Sequence, residues 1–525
     1  MVQDKTVDRQ QATVIHSLQQ QPPLSQTHKL LRNAFFNSFS WVASVVVNLV
    51  MVPLLIHFLG VEGFGIFSLL TGLFGYFSLL DLGLAQGVVK YVAHYTGLKD
   101  TRSTSLAISS ALIIQTTLGA LGTIALWVFN NELIRLLNIS ESYRSAASSA
   151  LYLSSVGFFV TMIMGTFTST LMGVQRFDVV GKITLWFSII TTAVTALILL
   201  IGGGLFEVIL ATFVLNIGAL AVFIYAAHRL IPGMSIQPGL NFGFLKDMFG
   251  FTKYTFLSQV SGFLYTTLVR FVIGVLRGPE AVAYFVVPLK LVTALQGAFG
   301  SLVNVLFPFA SEQTAQGKIA ELREVYFKSS RYFLAISLPL YFLLFGFARE
   351  ILSVWVGVQF ASTAWPVLAL LAIAFWFSAW SMIPSNVVTG MGHARITGFF
   401  SLTVSSLSLV LVALLVPIYE SVGAAVGLLI VPFVVAPVFV WYVTAKILNI
   451  SMRDYARRVV FPCIAPCAIF ALEVVALIIA SRFLPTQPTA LWLIVACGLL
   501  FPYFLVARKL NVVSMPDFLT ALSLR

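Results

Sequence analysis

Two basic residues lie where so apolar a chain should not carry charge. Arg270 and Lys290 sit inside the two arms of an apolar hairpin, from about Phe249 to Phe309, that turns at Arg277-Gly278-Pro279. At about 1.5 Å rise per residue, Arg270 falls roughly 13 Å and Lys290 roughly 17 Å below that turn. Both therefore reach a similar depth in the outer half of a bilayer core about 30 Å thick. A charge there costs at least about 2.5–3.5 kcal/mol, so each needs a partner or a wet cavity. Two cations at one depth can recognise an anion, and we read them as facing an anionic substrate. A structural ion pair and snorkelling to the outer surface are the competing readings.

The flanking spans offer a polar lining. In the first span Asn33, Asn37, Ser40, Ser44 and Asn48 recur at helical spacing; in the seventh, Thr255, Gln259, Gly262, Thr266 and Arg270 do the same. Polar side chains facing lipid would be unsatisfied, so these faces must meet protein or water. Asn37, Ser44, Asn48, Gln259 and Thr266 are the candidate cavity-lining residues, with plain helix–helix hydrogen bonding as the alternative. Asp81, in Leu80-Asp81-Leu82-Gly83-Leu84, is the one acid well inside a first-half span. It suits a helix-break cap or a local ion pair, and it permits proton or Na⁺ coupling.

These residues must be positioned by membrane spans. The chain is 59% hydrophobic and only 10% charged, far from the roughly 25% charged of soluble domains. Apolar runs of spanning length fall at about 32–59, 62–95, 103–129, 146–173, 179–201, 205–227, 248–276, 281–309, 331–348, 364–390, 396–417, 421–445, 457–481 and 488–507. The expected fold is an all-α polytopic membrane protein of about 14 transmembrane helices. It divides into a disordered cytoplasmic tail (1–31), an N-lobe (32–228), a cytoplasmic linker (229–247), a C-lobe (248–446) and a final helix pair with its tail (447–525).

The net charge of +12 does not signal nucleic acid. With both termini in the cytoplasm, 24 of the 31 Lys and Arg residues fall in cytoplasmic segments and five in outer loops. The basic excess thus encodes orientation by the positive-inside rule.

The two lobes repeat. Gly60-Val61-Glu62-Gly63-Phe64-Gly65-Ile66-Phe67 matches Gly278-Pro279-Glu280-Ala281-Val282-Ala283-Tyr284-Phe285 at an offset of 218, and Phe129 to Glu132 matches Phe347 to Glu350 at the same offset. Gly173 and Gly181 match Gly390 and Gly398 at 217. Six spans per unit make the repeat parallel, with a substrate path between the halves.

Other chemistries lack their residues. Gly181-Lys182 has Arg176 where a phosphate-binding loop needs its first glycine, which speaks against ATP hydrolysis. No metal-ligand spacing or nucleophile elbow is present, and neither a cofactor nor a metal is expected. The longest expected outer loop, Asn130 to Ser145, is short for an enzyme. Cys463, Cys467 and Cys497 exclude a disulfide scaffold.

The stretch Pro53 to Leu70, followed by Asp81-Leu82-Gly83-Leu84, resembles the opening of polysaccharide (O-antigen) flippases of the multidrug/oligosaccharidyl-lipid/polysaccharide exporter superfamily. The span number, the two six-span lobes and the extra C-terminal pair extend that resemblance over nearly the whole chain. It implies a bacterial inner-membrane protein, not an enzyme, that moves an undecaprenyl-diphosphate-linked oligosaccharide to the periplasmic leaflet by alternating access. Arg270 and Lys290 are then the candidate diphosphate contacts. Membrane lipids, a polysaccharide polymerase and glycosyltransferases are the candidate partners. A cation-coupled drug exporter, a lipid II flippase and a non-transporting scaffold of a synthase complex are the alternatives.

Overall fold

The computed structural model of the protein describes residues 24–77, 84–236, 259–483, 489–509 and 512, and among these all regular structure is helical. Among the described residues, eleven helical segments are long and apolar enough to cross a membrane. Three of them reverse inside their length, at Gly60 (φ 71°, ψ 174°), Gly278 (φ 79°, ψ 179°) and Glu420 (φ 53°, ψ −133°). Counting each of those three as two gives a number that agrees with the expected fourteen crossings. The N-terminal stretch 1–23, Asp81, Thr255 and positions 237–247 of the expected linker lie outside the described residues. Asn33, Asn37 and Ser40 lie on the described helical backbone, with side chains outside the description.

The first half comprises α1 (Leu24–Phe77), α2 (Leu84–Gly97), α3 (Thr101–Val128), α4 (Asn130–Leu136), α5 (Glu141–Gly173), α6 (Phe177–Leu200) and α7 (Leu205–Leu230). In the second half, a π-helical segment, Phe263–Leu268, leads into α8 (Val269–Val303). There follow α9 (Leu306–Ala315), α10 (Ile319–Gly346), α11 (Ala348–Trp355), α12 (Val358–Trp380), α13 (Met382–Gly390) and α14 (Ala394–Tyr442). The last pair is α15 (Phe461–Phe483), then α16 (Thr489–Gly498) with α17 (Leu500–Lys509).

The halves repeat element by element: α3 begins at Thr101 and α10 at Ile319, α4 at Asn130 and α11 at Ala348. The connections repeat as well. Left-handed backbone occurs at Gly60 and Gly278, Lys99 and Gly317, Asn138 and Gly357, Gln175 and Gly392, and Gly202 and Glu420. In four of these five pairs the side chains differ, yet the chain reverses at the same place. Such φ values suit glycine and cost most other residues energy, so the conformation is imposed by how the helices must pack.

Two expected boundaries shift. The segment Asn130 to Ser145 is not an open loop: α4 occupies its first half, with Glu132 in the first turn and Arg135 in the last, each favourable to the helix dipole. Asn130 Nδ2 donates to the Ser148 carbonyl at 3.1 Å and pins α4 to α5. The ninth span, expected over 331–348, begins at Ile319. Its amphipathic basic stretch continues the helix beyond the apolar run, because long Lys and Arg side chains can carry their charge to water.

The halves meet through their repeat mates, α1 against α8 and the π-helical segment before it. Gly274 packs against Leu69 and Leu137, and Asn138 Nδ2 donates to the Val275 carbonyl at 2.8 Å. A methyl group on Gly65 would overlap the Pro279 carbonyl. All these contacts lie toward the end of the molecule that holds Gly60 and Gly278, here called the turn end. There, residues of both halves form one continuous hydrophobic core. Toward the basic-loop end the first half keeps a separate core around Val88, Phe167, Leu171 and Phe223, with no second-half residue in it.

The last pair packs on the second half. The Tyr503 hydroxyl donates to the Ala335 carbonyl of α10 at 2.6 Å, and Val474 and Ile478 of α15 cover Gly346.

Candidate functional site: a basic cleft between repeat mates

Burial along the central helices changes at one level. In α8, Phe285 to Leu289 are all buried, Lys290 is the first half-buried residue after them, and Ser301 and Leu302 are exposed. In the seventh span no residue from Gly262 to Leu268 is buried, whereas Val269, Ile273 and Gly274 are. In the first span no residue from Ala43 to Val50 is buried, whereas Met51, Val52, Leu55 and Ile56 are. The central helices are thus most buried toward the turn end, where the halves touch, and less buried below it. Arg270 and Lys290 stand at the boundary, one on each arm of α8.

The two cations act on one another through their charge. The Arg270 guanidinium lies close enough to repel the Lys290 ammonium. Among the described residues, no carboxylate lies within ion-pair distance of Lys290. Their repeat mates carry no charge: Val52 is fully buried, and a methyl group on Gly72 would meet no described atom within 4 Å. The positive pair thus belongs to the second half alone.

The polar stripes turn back on their own helices. Asn48 is exposed and its Nδ2 donates to the Ser44 carbonyl at 2.7 Å. The Thr266 hydroxyl donates to the Gly262 carbonyl at 2.8 Å, and a methyl on Gly262 would meet nothing within 4 Å. Ser44 Oγ is buried without a hydrogen-bond partner among the described residues. Gln259 is half-buried at the start of the described seventh span. For Asn48 and Thr266 the observed bonds are intrahelical.

Sequence periodicity could not show the π-helical segment. It ends at Leu268, two residues before Arg270, and its wider turn re-aims everything beyond it. Such turns are frequent at functional sites. The cluster of Tyr265 with Phe375, ring centroids 5.9 Å apart, was also hidden, since the two residues are distant in sequence. So was Trp355, whose Nε1 donates to the Leu49 carbonyl at 3.2 Å across the halves.

Two repeated six-span halves with a further helix pair make up a fold that is also found in solved membrane transporters. Two solved structures share it. One, titled as the lipid II flippase MurJ in an inward closed conformation, superposes with a TM-score of 0.70 at 13% identity, covering 92% of this chain and 100% of that one. The other, an inward-facing multidrug resistance transporter of the MATE family, gives 0.66 at 16% identity over 77% of this chain and 95% of that one. A family profile described as "Polysaccharide biosynthesis protein" matches residues 30–314, more than half of the chain, which belongs to that family. A Shigella flexneri relative named "Putative O-antigen transporter" is 21% identical over 400 residues, 76% of this chain and 94% of its own.

Proposed function

We propose that this protein is a flippase. It carries a polyprenyl-diphosphate-linked oligosaccharide, of the undecaprenyl type, from the cytoplasmic to the periplasmic leaflet of the bacterial inner membrane. The observation that carries this reading is the placement of Arg270 and Lys290 on the two arms of α8, where the burial of the central helices falls off, with the charge of one acting on the other; the space below them is read as a cleft that opens at the basic-loop end. Two like charges in an apolar setting repel, and a diphosphate between them would replace that repulsion with charge-assisted hydrogen bonds. Asn48, Gln259 and Thr266 offer polar groups below them for sugar hydroxyls; Asn37, Ser44 and Asp81 are assigned to the same path from their sequence register. The positive-inside bias puts the basic-loop end, and both termini, in the cytoplasm. Alternating access then means breaking the turn-end contacts while the basic-loop ends close.

The name of the Shigella relative supports a polysaccharide precursor as cargo. The multidrug reading follows from the shared fold. It is disfavoured by the charge at the cleft's closed end, since a cationic drug would meet two positive side chains.

The test is translocation of a fluorescent lipid-linked oligosaccharide by the purified protein in liposomes. A hydrogen bond to a charged group contributes about 1.5–3 kcal/mol, so Arg270→Ala and Lys290→Ala should each slow translocation roughly tenfold or more while elution and helicity stay normal. Wild-type rates in both variants would reject the site. Efflux of a cationic dye without lipid translocation would favour the exporter.

A further inference from the structure

We infer that a second basic pocket, on the flank of the second half, is a headgroup site for an anionic phospholipid of the surrounding leaflet. It lies between the basic-loop end of α10 and the segment Met452–Val460, and has a volume of about 630 Å³. Its charged lining is Lys328, Arg331, Arg457 and Arg458 against Glu324 and Asp454. Glu324 is consumed by Arg458 at 2.6 Å, and Arg458 is further held over the Phe327 ring at 4.9 Å. Three cations then face one remaining carboxylate.

Arg331 adds a second, independent observation. Its Nε is buried and has no hydrogen-bond acceptor among the described residues. Leaving a buried donor of a charged group unmade is costly, and a phosphate oxygen in the pocket would satisfy it. The backbone is unusual here as well: Ala456–Val460 forms a π-helical turn, which carries Arg457 and Arg458 on the pocket wall.

An apolar track leads away from the pocket along α15. Pro462 is in the pocket lining, and the next turn of α15 exposes Phe461 and Ile464, 61% and 52% accessible. Acyl chains can follow that apolar track while the phosphate stays among the cations. Basic pockets between helices at the cytoplasmic face are a recurrent mode of anionic lipid recognition. None of these residues belongs to the cleft that holds Arg270 and Lys290, so the two sites can fail separately.

The experiment uses the full-length protein in nanodiscs, comparing Lys328→Gln/Arg457→Gln with wild type. Both side chains are exposed and outside the Glu324–Arg458 pair, so folding should survive. Thermal unfolding is followed as phosphatidylglycerol replaces phosphatidylcholine, and separately with inorganic phosphate. The wild type should be stabilised by phosphatidylglycerol and not by phosphate. The double variant should need roughly tenfold or more phosphatidylglycerol, on the basis of about 1 kcal/mol per cation at an anionic surface. A photoactivatable phosphatidylglycerol should crosslink the wild type within residues 324–331 or 452–462. Equal lipid responses in the two proteins, equal stabilisation by inorganic phosphate, or crosslinks confined elsewhere would each overturn the assignment.

Discussion

Gly65 and Pro279 touch backbone to backbone across the two halves, so closely that a single added methyl would overlap the Pro279 carbonyl. Pro279 directly follows Gly278, where α8 reverses, so the contact sits at the rim of the turn end. Overpacking a tight contact typically costs about 1–3 kcal/mol, and here the helices can relieve it by moving apart. Gly65→Ala should therefore shift the protein toward a state open at the turn end. Ser68, buried one turn deeper, is a reporter once exposed Cys497 is replaced by serine. Labelling of Ser68→Cys by a membrane-impermeant maleimide should quicken about tenfold in the Gly65→Ala background. An unchanged rate would mean that this contact does not hold the end shut.

Arg277 ties two reversals together. Its Nε donates to the Val416 carbonyl at 3.4 Å, its Nη2 donates to the Pro417 carbonyl, and Glu420 Oε1 lies 3.8 Å from its Nη1. The ion pair is long and exposed and contributes little, whereas the carbonyl bonds span the turns at Gly278 and Glu420. Glu420 pays for its place with φ 53° and ψ −133°, at a position where the first half has Gly202. Such backbone costs a non-glycine residue about 1–3 kcal/mol, partly offset by the greater chain entropy of glycine. Glu420→Gly should stabilise by about 1 kcal/mol, and Arg277→Ala should destabilise by about 1–2 kcal/mol. Denaturant unfolding in detergent micelles measures both; a Glu420→Gly protein less stable than wild type would contradict the strain argument.

Asp100 caps α3 from a loop at the basic-loop end. Its carboxylate accepts from the Ser103 hydroxyl at 2.6 Å and the Ser103 amide at 2.9 Å, and these bonds hold its pKa below the usual carboxylate value. A depressed folded-state pKa stabilises above the unfolded value of about 3.9 and loses that contribution as pH falls through the folded value. Amide exchange in the first turn of α3 should be less protected in Asp100→Ala than in wild type at neutral pH. The difference should vanish below the depressed pKa. A difference that persists unchanged in acid would assign the cap to packing instead of charge.

The sequence alone determined the class of the molecule. Spanning runs, the tally of basic loops and the offset between Gly60 and Gly278 depend only on the hydrophobic effect and chain geometry, which act locally and leave a linear record. They yielded fourteen crossings, a duplicated architecture, and two cations at one depth. Tertiary structure decided what no linear record holds. It brought Arg270 into the field of Lys290, set Gly65 against Pro279, turned the Asn48 and Thr266 hydrogen bonds back onto their own helices, and gathered Arg331 and Arg457 around one pocket. The reason is physical: which ends of the two halves touch depends on summed contacts between residues some two hundred positions apart. The same backbone reversal can then be enforced on Gly202 in one half and on Glu420 in the other.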